Sequence, residues 1–104
     1  IYEMIEFVEF DLNFISLDNS SWGKGKKLVI EDAHINVTEV LLQTDKMLKS
    51  GDYLIVEDTP MVKKQKSVAD FIANAKNTYE VDQHYLDFFG KNVGCCFDSI
   101  FRVV

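Results

Sequence analysis

Two short apolar runs, Lys27-Leu28-Val29-Ile30 and Tyr53-Leu54-Ile55-Val56, each lead straight into acidic residues, and a stretch of helical spacing separates them. Runs this short and this continuously apolar are typical of strands covered on both faces. Between them Asn36 reads as an N-cap, with Glu39 three residues on completing a capping box. Val37, Val40, Leu41, Thr44 and Leu48 then follow on one helix face, and Gly51 reads as the C′ glycine after a lysine-bearing last turn. Strand, helix, strand in this order predicts a right-handed crossover with the two strands parallel and side by side.

The rest of the chain extends that unit. Pro60 precedes a basic patch, Lys63-Lys64-Gln65-Lys66, and Ser67 with Asp70 reads as the cap of a second helix. Its inner face would be Val68, Phe71, Ile72 and Ala75. Residues 79–85 and 99–104 read as strands, with an aromatic loop at 86–92 between them. Upstream, 1–10 reads as a helix and 13–17 as a strand, stopped by the turn-rich segment 18–25. The expected architecture is an open, three-layer α/β fold whose sheet is mostly parallel and closes with an antiparallel hairpin.

Composition narrows the functional classes. A chain of 104 residues with 47% hydrophobic content and one proline is a single globular domain, residues 1–104, and not a disordered or collagenous one. The net charge of −6 argues against a nucleic-acid partner, which calls for a basic face. No apolar run reaches the roughly 18 residues of a membrane helix. Cys95 and Cys96 are adjacent, a geometry that strains a disulfide, so they read as two thiols in a reducing, cytoplasmic setting.

In open α/β sheets ligands bind outside the carboxyl ends of the parallel strands. Glu31-Asp32-Ala33-His34 follows the first apolar run and Glu57-Asp58-Thr59 follows the second. Adjacent strands would therefore bring three or four carboxylates to one rim. Like charges so close raise each other's pKa unless a cation shares the site. Hard oxygen donors in this number suit Mg²⁺ or Mn²⁺, with positions left for water or substrate. The plainer alternative is that these acids are solvated or cap the next helix. His34 lies three residues past Glu31, and an imidazole titrating near about 6.5 can take a proton at neutral pH.

With these motifs in view, residues 27–104 resemble the C-terminal half of the class I S-adenosylmethionine-dependent methyltransferases of the cephalosporin hydroxylase and rhamnosyl O-methyltransferase type. The residues that carry the resemblance are Leu28-Val29-Ile30-Glu31-Asp32-Ala33-His34 and Leu48-Lys49-Ser50-Gly51-Asp52-Tyr53-Leu54-Ile55-Val56-Glu57-Asp58-Thr59. The resemblance implies a partial Rossmann-like sheet and a divalent cation held by Glu31, Glu57 and Asp58, with His34 as general base. It further implies S-adenosylmethionine as methyl donor and a hydroxyl of a sugar-like or other small molecule as acceptor. The separation of Glu31 from Glu57 also matches related catechol-type methyltransferases, which carry Lys where His34 stands.

Two departures qualify what the resemblance implies. The family has Asp followed by a neutral residue where this chain has Glu31-Asp32, so Asp32 is an alternative ligand to Glu31. None of the five glycines makes a strand-loop-helix G-x-G for the cofactor. Residues 1–26 thus stand where a longer cofactor-binding half is expected, and the chain reads as a fragment or truncated homologue. Asp18 and Ser20 are the candidates for an adenine-side contact. The rival reading is a non-catalytic remnant that binds a partner, or a second copy of itself, through an exposed sheet edge.

Overall fold

A computed structural model of the chain describes residues 24–88 and 99–104. The elements run β1 (Leu28–Glu31), α1 (Val37–Met47), β2 (Tyr53–Val56), α2 (Val62–Asn74), β3 (Tyr79–Val81), α3 (Gln83–Phe88) and β4 (Ile100–Val103). The two apolar runs are neighbouring parallel strands, with Leu28 opposite Tyr53 and Glu31 opposite Val56. β4 lies between β2 and β3 and is antiparallel to both, giving the order β1-β2-β4-β3. The described residues thus form a small α/β domain with a four-stranded mixed sheet. The expectation of a mostly parallel sheet is corrected: one ladder is parallel and two are antiparallel. The reason is topological. β1, β2 and β3 all run the same way, but the returning β4 separates β2 from β3 and turns both of its ladders antiparallel.

Both long helices cover one face of this sheet. Leu54 and Val56 of β2 and Phe101 and Val103 of β4 point into a core closed by Val37, Leu41 and Leu48 from the α1 segment and Phe71 from α2. Each such side chain, fully buried, contributes about 1.5–3 kcal/mol. Strand alternation sends Leu28, Ile30, Tyr53, Ile55 and Ile100 to the other face. There Leu28 and Ile30 are 60% and 58% exposed, and Tyr85 of α3 packs edge-on against Tyr53. Among the described residues α3 is the element that packs on this face. An apolar run records that a face avoids water, not what covers it.

Several local readings change for identifiable reasons. Asn36 is the N-cap of α1, but it adopts a left-handed conformation (φ 52°, ψ 40°) and makes no side-chain cap hydrogen bond, so the capping box with Glu39 is absent. α1 ends at Met47, and Gly51 sits in the following turn with φ 86°, donating its N–H to Val103 O at 2.8 Å. α2 begins at Val62, so the lysine patch forms its first turns; these residues are good helix formers. Ser67 is consequently interior, its Oγ donating to Lys63 O at 3.1 Å, and caps nothing. Ile72 faces outward while Phe71 is fully buried. The strand expected over 79–85 stops at Val81, where Asp82 takes over as a cap by accepting the Tyr85 N–H at 3.2 Å.

Two aspartates that no motif marked tie the amino ends of the strands together. Asp45, on the inner face of α1, accepts Lys76 N–H at 2.6 Å, Tyr79 O–H at 2.6 Å and both the backbone and side-chain N–H of Asn77. Asp52 accepts Lys27 N–H at 3.0 Å and Lys49 N–H at 2.9 Å, with Lys27 Nζ 3.6 Å away. Burial by itself would raise both carboxyls, but these donors outweigh it and hold both below the ordinary carboxylate range. The readings on 1–10, 13–17, Asp18, Ser20, Cys95 and Cys96 lie outside the described residues. Among the described residues no helix is long and apolar enough to cross a membrane.

Candidate metal centre

The parallel ladder of β1 and β2 sets this site. Glu57 N–H donates to Glu31 O at 2.9 Å, one step beyond the last strand pair, and the two chains then part into the segments 32–34 and 57–59. Asp58 sits at φ 59°, a left-handed conformation that Asp tolerates better than most residues, and its carbonyl accepts Met61 N–H at 3.1 Å. The turn brings its carboxylate against the β1 side. One ligand atom each from Asp32, His34 and Asp58 lies within 4.8 Å of the others. His34 Nε2 is 3.2 Å from Asp58 Oδ2 and 3.8 Å from Asp32 Oδ1. Glu57 joins the rim: the Asp32 charge, helped by desolvation, a shared hydrogen bond and the Asp58 charge, pushes its carboxyl above the ordinary range.

Glu31 and Asp32, interchangeable in the sequence, have opposite environments here. Asp32 faces solvent with His34. Glu31 is 4% exposed and points inward, where its Oε1 accepts Ala33 N–H at 2.6 Å. Lys64 of α2, equally buried, puts its Nζ 3.1 Å from Glu31 Oε1 and 2.9 Å from Oε2, and donates to Ala33 O at 2.6 Å. The sequence reading passed over Lys64 as part of a basic patch. Its spacing to Val68 and Phe71 places it on the inner face of α2, a signal that appears only once the helix is started at Val62.

Asp32 and Asp58, with Glu57 beside them, offer hard oxygen donors, and His34 Nε2 lies next to both aspartates. Oxygen donors of this kind fit a six-coordinate Mg²⁺ or Mn²⁺ with positions left for water or substrate. Beside the cluster a groove of about 690 Å³ runs between the starts of α1 and α2, lined by His34, Ile35, Asn36, Met61, Lys63 and Ser67. A second, apolar pocket of about 250 Å³ lies on the sheet face opposite α1 and α2, among Leu28, Tyr53, Ile55, Tyr85 and Ile100.

No family model matches the chain, and no match is found among the curated proteins or the solved structures.

Proposed function

We propose that this domain belongs to a metal-dependent O-methyltransferase that transfers a methyl group from S-adenosylmethionine to a small-molecule hydroxyl. The observation that carries the reading is the convergence of Asp32, His34 and Asp58 at the carboxyl ends of two adjacent parallel strands. The antiparallel pairing of β3 with β4 agrees with the closing hairpin that the sequence resemblance implies. Asp32 and Asp58, with Glu57 beside them, are the residues that would hold Mg²⁺ or Mn²⁺, and Glu31 is committed to Lys64. A divalent cation in that position would make a nearby hydroxyl more acidic. His34, with Nε2 3.2 Å from Asp58 Oδ2, takes the hydroxyl proton. The groove beside His34 receives the acceptor. The described residues offer no glycine-rich cradle for S-adenosylmethionine, and Asp18 and Ser20 lie outside them, so the cofactor rests on the sequence resemblance.

Calorimetric titration with Mn²⁺ and Mg²⁺ tests the cation, and transfer of labelled methyl to catechol and sugar hydroxyls, with and without chelator, tests the reaction. Binding together with chelator-sensitive transfer is the expected result. No heat at millimolar metal would sink the cation site. Metal binding without transfer to any acceptor would remove the reaction and favour the second reading, a partner-binding module. That reading has its own support in Leu28 and Ile30, exposed on the sheet face opposite α1 and α2.

A further inference from the structure

A domain of this size has little reason of stability to bury Lys64 against Glu31. Removing two charges from water costs several kcal/mol per ion, and a well-packed apolar pair of the same volume is commonly as stable or more so. The contacts of the pair converge instead on one backbone segment. Lys64 Nζ reaches both Glu31 oxygens and, at 2.6 Å, the carbonyl of Ala33, while Glu31 Oε1 takes the Ala33 N–H. Both polar groups of the Ala33 peptide backbone are thus held by one buried ion pair. Ala33 is the residue between Asp32 and His34. Its two neighbours supply two of the three groups of the cation cluster, and the third, Asp58, comes from the other strand end. Held at residue 33, the loop presents Asp32 and His34 outward on the same side.

We propose that Lys64 is a positioning residue: through Glu31 and Ala33 it holds the 31–34 loop so that Asp32 and His34 face Asp58. It is not itself one of the groups of the cation cluster. The inference rests on Asp32 and Asp58 being a cation site with His34 beside it, as proposed above, but the held loop can be observed with no metal present.

The test uses Lys64→Met and the double variant Glu31→Leu/Lys64→Met, which exchanges the pair for an apolar contact and keeps the experiment informative if the single variant fails to fold. Thermal melting reports stability, amide hydrogen exchange of Ala33 in the metal-free protein reports the loop, and Mn²⁺ titration reports the cluster. The expected result is a double variant that melts within a few degrees of the parent yet binds Mn²⁺ at least tenfold more weakly, and an Ala33 amide that exchanges at least tenfold faster in Lys64→Met, where its Glu31 acceptor is still present. Parent-like exchange and parent-like Mn²⁺ affinity in a folded variant would overturn the proposal. So would tighter Mn²⁺ binding by Lys64→Met, because it would make Glu31 a ligand that Lys64 occupies. If the parent chain itself binds no Mn²⁺, the cation reading fails, and Ala33 exchange in Lys64→Met, which keeps the Glu31 acceptor, alone then decides: faster exchange upholds the positioning role, and unchanged exchange ends it.

Discussion

The two ends of the same parallel strands use carboxylates in opposite ways. At the amino end Asp45 and Asp52 are buried, each surrounded by donors, and their charge is welcome. At the carboxyl end Asp32, Glu57 and Asp58 gather with a histidine as their near neighbour, and Glu57 is driven upward by the others. Surrounded carboxylates stabilise a fold. Crowded, exposed ones cost it something and are retained where a cation or a proton is handled. Lys64 divides the two uses within a single loop, since it neutralises Glu31 and leaves Asp32 outside.

The largest expected effect lies at the amino end. Asp45→Ala strands the Lys76 and Asn77 amides and the Tyr79 hydroxyl in a partly buried setting and should cost about 3 kcal/mol, a fall in melting temperature of roughly 12–24 °C, read by thermal or urea unfolding. Manganese affinity measured where the variant is still folded should be unchanged. A loss under about 1 kcal/mol would break the contrast between the ends.

At the carboxyl end the pattern should invert. Asp58→Asn and Asp32→Asn keep local shape, and Asn also tolerates the left-handed conformation of residue 58. Stability should stay within about 0.5 kcal/mol, while calorimetry shows Mn²⁺ affinity lowered by about tenfold or more. A stability loss comparable to that of Asp45→Ala would make these acids structural.

Gly51 sharpens the amino end further. Its φ of 86° is one that L side chains resist, and a Cβ there would meet Lys26 Nζ at 2.5 Å, a flexible group that can move aside. Gly51→Ala should therefore cost about 1 kcal/mol from the backbone alone, by urea unfolding, with no effect on metal binding.

The smallest effect is in the pH dependence, and its sign differs between the ends. Asp45 is held below its unfolded pKa. Its stabilisation is present above about pH 4 and fades as pH falls through the folded value. Asp45→Asn should flatten that acid limb of the melting curve. Glu57 is raised, so it lowers stability once ionised, and the penalty vanishes below its unfolded pKa. Glu57→Gln should raise the melting temperature slightly at pH 7 and change nothing near pH 3. A fall at neutral pH would show that Glu57 is stabilising, against the assignment of this end.

The parallel pair was legible because Leu28-Val29-Ile30 and Tyr53-Leu54-Ile55-Val56 are too short and too apolar to be anything but strands, and one helix between them makes them neighbours. From that alone the convergence of residues 31–34 with 57–59 follows. The start of α2 was not legible. Ser67 with Asp70 matches a capping box better than Met61 does, yet the turn through Pro60 launches the helix at Val62, and cap preference is worth less than packing Lys64, Val68 and Phe71 on one face. Local signals also misled at residues 83–88, where the end of the strand read over 79–85 and the start of the aromatic loop read over 86–92 form a short helix behind Asp82.

What the sequence determined by itself is the set of strand-end acids and the parallel register that brings them together, because strand pairing of a β-α-β unit follows from chain order and handedness. What only the tertiary structure decided is which acid faces where. Glu31 and Asp32 are adjacent and chemically alike, and alternation along a strand sends one inward and one outward without saying which will meet a partner. The partner, Lys64, arrives from a helix thirty-three residues away. A buried charge has to be matched by an opposite one in space, and spatial matching is information that the linear pattern of residues does not contain.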